Sequence, residues 1–102
     1  MKTTITNKMR PIHPGEILRE EYLLPLEMSV NALAHSLHVP ATRVHEIVKE
    51  RRSISADTAM RLARYFGGDA QSWMNLQTNH DLRLVDLEKG KLIEKEIDPR
   101  AA

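Results

Sequence analysis

The 102-residue sequence contains no cysteine. Disulfide frameworks, thiolate metal centres and cysteine nucleophiles are thereby excluded together. Glycine is scarce, at four residues, and none falls in a phosphate-binding loop or a nucleophile elbow. No apolar run approaches the ~18 residues that a membrane span needs. Met1 to Arg10 is polar and lacks the apolar centre of a secretory signal. These absences predict a soluble, cytoplasmic protein with no membrane association. A dominant charge is also missing: 15 basic residues face 14 acidic ones, for a net charge of +1. Any electrostatic attraction for a polyanion must therefore be local rather than global.

What is present is the material of one small helical domain. Hydrophobic residues make up 41% of the chain, enough for one modest core. Residues 1–9 are polar and aperiodic and are read as a flexible arm. Pro14 suits the first turn of a helix, where its missing N–H is no loss, and Glu16 complements the helix dipole there. This first helix is expected to run from about Pro14 to Leu24, with Pro25 stopping it. Ser29 is a good N-cap for a second helix. In it, Val30, Leu33, Ala34 and Leu37 form one apolar stripe at helical spacing. His38-Val39-Pro40 breaks the pattern, and a third helix follows from about Ala41 to Glu50. Ser55 caps a fourth helix carrying Ala59, Leu62, Ala63 and Phe66, which Gly67-Gly68 ends. Asp69 caps a fifth, carrying Trp73, Met74 and Leu76 and reaching to about Leu84. Beyond it, residues 85–102 are read as a short tail, with a turn at Lys89-Gly90-Lys91 and an extended or docking segment at Leu92-Ile93.

Residues 29–49 have the pattern of a helix-turn-helix. Two short helices joined by a tight turn meet steeply, so Leu33, Leu37, Val39, Val44 and Ile47 are placed to bury the inner corner. Ala34 is small where the second of the pair must lie close. His38 occupies a turn position that glycine usually takes, which requires a positive φ. Pro40 replaces the usual polar cap with a pre-set φ. The outer face, Ala41, Thr42, Arg43, His45, Glu46 and Lys49, is then free to enter a DNA major groove. Thr42 and Arg43 are the leading candidates for base edges, since Arg bridges guanine O6 and N7 and Thr contacts either base type. Glu46 can accept from cytosine. Lys49, Arg51 and Arg52 suit phosphates, as do the amide end of the helix at Ser29 and the nearby Asn31. From Arg43 to Ser53 four basic residues face two acidic ones, a modest local excess that a solvated face would also show.

An enzyme is the rival class. His45-Glu46 starts like the zinc-protease helix motif, but Lys49 stands where the second histidine is required. His35 and His38 lack a third ligand. Catalytic residues, metal sites and cofactors are therefore not expected. A second rival is a protein-interaction module that uses the same helices for docking.

Two further motifs flank the helix-turn-helix. One is Arg10-Pro11-Ile12-His13-Pro14-Gly15-Glu16-Ile17-Leu18. The other is Ser55-Ala56-Asp57-Thr58-Ala59 through Leu62-Ala63, then Trp73-Met74-Asn75-Leu76-Gln77 and Asp81-Leu82. With them, the chain from Met9 to Leu84 resembles the Xre/Cro-type helix-turn-helix family and, within it, the HigA-type antitoxins, also labelled virulence-associated protein I. The resemblance implies an all-α fold: a five-helix, lambda-repressor-like DNA-binding domain over residues 10–84; the short, partly extended tail of residues 85–102 lies outside it. It further implies a homodimer that represses its own operon at a palindromic double-stranded operator and binds a HigB/RelE-like, mRNA-cleaving toxin. A solitary regulator without a toxin is the alternative. Read from the residues alone, His13 caps or turns the chain, Trp73 belongs to the core or a dimer seam, and Asn75 and Gln77 face solvent or a buried contact.

Overall fold

The computed structural model describes residues 10–101, so the arm expected at residues 1–9 lies outside the described residues. Helix α1 begins where the sequence places it. His13 is the N-cap, with its Nδ1 accepting the Gly15 N–H at 2.8 Å, and Pro14 sits in the first turn. The helix does not stop before Pro25. It runs as an α-helical turn Pro14–Ile17, a π-helical stretch Leu18–Leu23 and a last turn Leu24–Leu26. The proline ring would clash with the carbonyl four residues back in a regular helix. The wider π turn, in which the Leu24 N–H reaches Arg19 O, relaxes that crowding and carries the proline inside the helix.

Helix α2 spans Val30–Leu37, α3 Ala41–Val48 and α4 Ala56–Phe66. Each of α2 and α4 is opened by the serine expected to cap it: Ser29 Oγ accepts from Ala32 N at 3.0 Å and Ser55 Oγ from Thr58 N at 3.3 Å. Helices α1, α2 and α3 all end in the same way. Glu27, His38 and Glu50 adopt left-handed φ values of 52°, 59° and 62°. The next amide then reaches back to Leu23 O, Ala34 O and Glu46 O respectively, the closure expected of a Schellman turn. Pro40 opens α3 with extended backbone and no side-chain cap.

The core gathers Leu18, Leu33, Val44, Ile47, Ile54 and Leu62, all essentially without solvent contact. Full burial of each such side chain stabilises by roughly 1.5–3 kcal/mol. Trp73 belongs to this core, tilted against Tyr22 at 5.4 Å between ring centroids. Gln77 is buried as well. Its Oε1 accepts the Ile54 N–H at 2.7 Å and its Nε2 donates to Asp81 at 2.9 Å, so it satisfies a loop amide inside the domain. Asn75 is exposed and accepts from Gln71.

Helix α5 departs most from expectation. It is continuous over Ala70–Glu96, 27 residues, through the places read as a turn and an extended segment. One glycine in a helix costs only ~1 kcal/mol relative to alanine. The Leu, Glu and Lys residues around Gly90 favour helix, and the next proline is Pro99. At 1.5 Å per residue the helix is about 40 Å long. It accounts for the elongated 52 × 24 × 24 Å outline.

Candidate nucleic-acid interface

Helix α3 is positioned by its buried inward side and by two neighbouring helices. Its inward side, Val44, Ile47 and Val48, is buried. Helix α2 meets it across the left-handed His38 turn. Helix α1 holds its C-terminal end. There a Cβ placed on Gly15 would lie 1.8 Å from the Ile47 carbonyl oxygen, so only glycine allows the approach. Arg19 Nη1 donates to the Val48 carbonyl, and Arg19 Nη2 pairs with Glu50 at 3.3 Å. The Arg10–Leu18 motif, with Arg19 just after it, thus acts on α3: His13 caps α1, Gly15 provides the contact and Arg19 pairs with the Val48 carbonyl. Arg10 is itself held in a two-pronged pair with Glu16 at 2.7–2.8 Å, which keeps the Glu16 carboxyl below its usual range.

With Val44, Ile47 and Val48 inward, Thr42, Glu46 and Lys49 point the opposite way, with His45 beside them. Thr42 and Lys49 are exposed; His45 and Glu46 are half-buried. His45 Nε2 lies 3.2 Å from Asn31 Oδ1, which can only accept, so His45 donates there and Asn31 joins the start of α2 to the middle of α3. Glu46 is partnered by Arg51 at 3.4 Å, which offsets its repulsion of phosphates. Arg51, Arg52 and Ser53 are exposed on the loop after α3. The hydroxyl of Ser29 is occupied by its capping bond, but the residue stays exposed at the start of α2.

Two expected members of the outer face sit differently. Ala41 is half-buried against the core. Arg43 lies on the flank facing α4, its side chain 27% exposed, with Nη1 donating to Asp57 Oδ2 at 2.9 Å. The same Asp57 oxygen accepts from Arg61 Nε at 2.9 Å. Arg61 Nη1 donates in turn to the Leu37 carbonyl at 2.8 Å. Chiefly through the Arg61 hydrogen bond, and then through Arg43, the Asp57 carboxyl is held below its ordinary range. Sequence reasoning missed Asp57, Arg61 and Arg19. Asp57 and Arg61 carry a visible signal, an acidic–basic pair four apart on one helix; their reach to Arg43 and the turn does not.

Nothing in the described part assembles other chemistry. The His35 and His38 rings stack at 6.5 Å without a third ligand. Among the described residues no group of three His, Cys, Asp or Glu side chains could hold a metal ion, and no helix is long and apolar enough to cross a membrane.

Comparison with known proteins places the chain in a family. The helix-turn-helix family pattern matches residues 18–73. Virulence-associated protein I of Dichelobacter nodosus is 61% identical over 83 residues, 81% of this chain and 77% of that protein. The solved Pseudomonas aeruginosa antitoxin HigA with higBA promoter superposes with a TM-score of 0.86 at 53% identity, covering 90% of this chain and 100% of that one. Antitoxin GraA in complex with its operator superposes at 0.88 with 40% identity, covering 100% and 99% of the two chains. The chain therefore belongs to the Xre-type helix-turn-helix family, alongside virulence-associated protein I and the HigA antitoxins.

Proposed function

We propose that the chain is a sequence-specific, double-stranded-DNA-binding antitoxin of the cytoplasm. It represses its own operon and neutralises a RelE-like, mRNA-cleaving toxin. The observation that carries the DNA half is the outer face of α3: Thr42, His45 and Lys49 project from a helix whose other sides are fixed by α1, α2 and α4. Eight residues make a helix about 12 Å long, matched to a major groove about 12 Å wide. Thr42 and Arg43 address base edges, with His45 and Glu46 deeper. Lys49, Arg51, Arg52, Ser29 and Asn31 meet phosphates. Relatives solved on promoter or operator DNA support the reading, and their description as antitoxins supports the toxin half.

One α3 covers too few base pairs for useful specificity, so the active species is a homodimer on a palindromic operator. The outer half of α5 supplies a surface for it. Leu82, Val85 and Leu92 are 65%, 45% and 50% exposed and share one face. Among the described residues nothing buries them.

The test of DNA binding is titration of the full chain against the duplex upstream of its own gene at several salt concentrations. The logarithm of affinity should fall with the logarithm of salt at a slope near −0.9 for each phosphate neutralised. Salt-insensitive or absent binding would reject it. For the toxin half, co-expression with the neighbouring toxin gene should restore growth; unrelieved toxicity would reject it.

A further inference from the structure

The cluster around Asp57 goes beyond this reading while resting on it. A residue that reads a guanine has to present two N–H groups in a fixed plane. Arg43 carries the right group, but its long side chain starts from the flank of α3 rather than from the centre of the groove-facing surface. In the structure that side chain is not left to rotate. Asp57, in the first turn of α4, accepts from Arg43 Nη1 at 2.9 Å. Asp57 is in turn fixed by Arg61 Nε at 2.9 Å, and Arg61 is fixed by the Leu37 and His38 carbonyls at 2.8 and 3.4 Å. The chain of bonds begins at the turn of the helix-turn-helix and ends on the guanidinium. Asp57 takes a donor on Nη1, and the parallel Nε–H and Nη2–H of the opposite guanidinium edge remain for O6 and N7.

An exposed ion pair of this kind contributes little to folding. Its effect on the unbound protein is to select one orientation of a flexible arginine before DNA arrives, which lowers the ordering cost of binding. The carboxylate also has the sign that repels phosphate. It therefore disfavours the alternative in which Arg43 swings onto the backbone and binds any sequence.

We infer that Asp57 is a specificity-determining positioning residue: held by Arg61 against the turn, it sets Arg43 for base readout and keeps it off the phosphates. Asp57 itself touches no base in this account.

The experiment is selection of duplexes from a randomised library by the full chain and by three variants: Arg43→Ala, Asp57→Ala and the double substitution. Arg43→Ala should lose about tenfold of discrimination at one base pair in each half-site. Asp57→Ala should lose preference at that same base pair and keep it elsewhere, and the double variant should match Arg43→Ala. Asp57→Asn keeps the shape of the side chain and removes its charge. It should melt at the temperature of the parent chain and bind a random duplex a few-fold more tightly. Unchanged selectivity in Asp57→Ala, or equal loss at every position, would overturn the inference while leaving DNA binding intact. If the unaltered chain selects no sequence at all, the DNA-binding reading itself fails.

Discussion

The four-helix body and the outer half of α5 are both helical, but different forces hold them. Around α3, the ends of α1, α2 and α3 are closed by left-handed turns, the inward residues are buried, and Gly15, Arg19 and Arg61 tie neighbouring helices to specific carbonyls. Beyond about Asp81, no residue of α5 is fully buried, and Arg83 is half-buried. Its only buried residues are Trp73 and Gln77, both in the first half. The body is specified by long-range contacts within one chain. The projecting half persists on helix propensity and near-neighbour charge pairs such as Arg83–Asp86 at 3.3 Å, and it carries apolar side chains that stay largely exposed among the described residues. The division separates a body tied together by long-range contacts from a projection that rests mainly on local ones.

The largest effect should come from breaking the body. Gly15→Ala puts a methyl group against the Ile47 carbonyl, where backbone rather than a movable side chain stands in the way. We expect a loss of about 3 kcal/mol in chemical denaturation. DNA affinity should fall further than stability alone explains, because α3 must shift to make room. The complementary break is in α5. Val85→Glu with Leu92→Glu should leave the denaturation midpoint of the monomer nearly unchanged and weaken self-association by roughly 30-fold or more, measured by sedimentation. A matching loss of monomer stability would show that this half is not separate after all.

How far the sequence foretold these two regions follows the range of the interactions. Local features were legible: the serine caps at 29 and 55, the left-handed His38, the extended Pro40 and the apolar corner of α2 and α3. Each depends on residues within one or two turns of each other. The length of α5 was misjudged because Gly90 and the mixed charges around it look like a turn, although neither outweighs the helix formers beside them. Pro25 was misjudged because a π turn has no simple sequence signal. The site was legible as a face but not as a mechanism. Arg43 could be named, whereas its capture by Asp57, 14 residues away, depends on how α4 crosses α3.

A smaller effect should appear with pH. His13 Nδ1 accepts the Gly15 amide, which requires the neutral ring. Burial, with His80 beside it at 4.9 Å between ring centroids, pushes the His13 pKa below the ordinary histidine range. As pH falls through about 6.5 the unfolded chain takes up a proton there, while the folded chain does so only at lower pH. Stability should therefore be complete above about 6.5 and fall from there down to the folded pKa, with no further loss from this group beneath it. Denaturation midpoints between pH 7.5 and 5 measure this, and His13→Asn, which keeps an N-cap acceptor, should flatten the dependence.

The smallest change concerns the turn. His38→Gly relieves a left-handed φ of 59° and loosens the unfolded chain, two effects that nearly cancel. A net gain of about 0.5 kcal/mol is expected, with base preference unchanged.

The central claim is that a dimer places two copies of α3 in successive major grooves. Methylation protection of guanine N7, which lies in the major groove, tests it most directly. On the duplex upstream of the gene, the account predicts two symmetric sets of protected guanines centred about 10 base pairs apart. A bound duplex with its guanine N7 positions unprotected, or with protection confined to the minor groove, would contradict it.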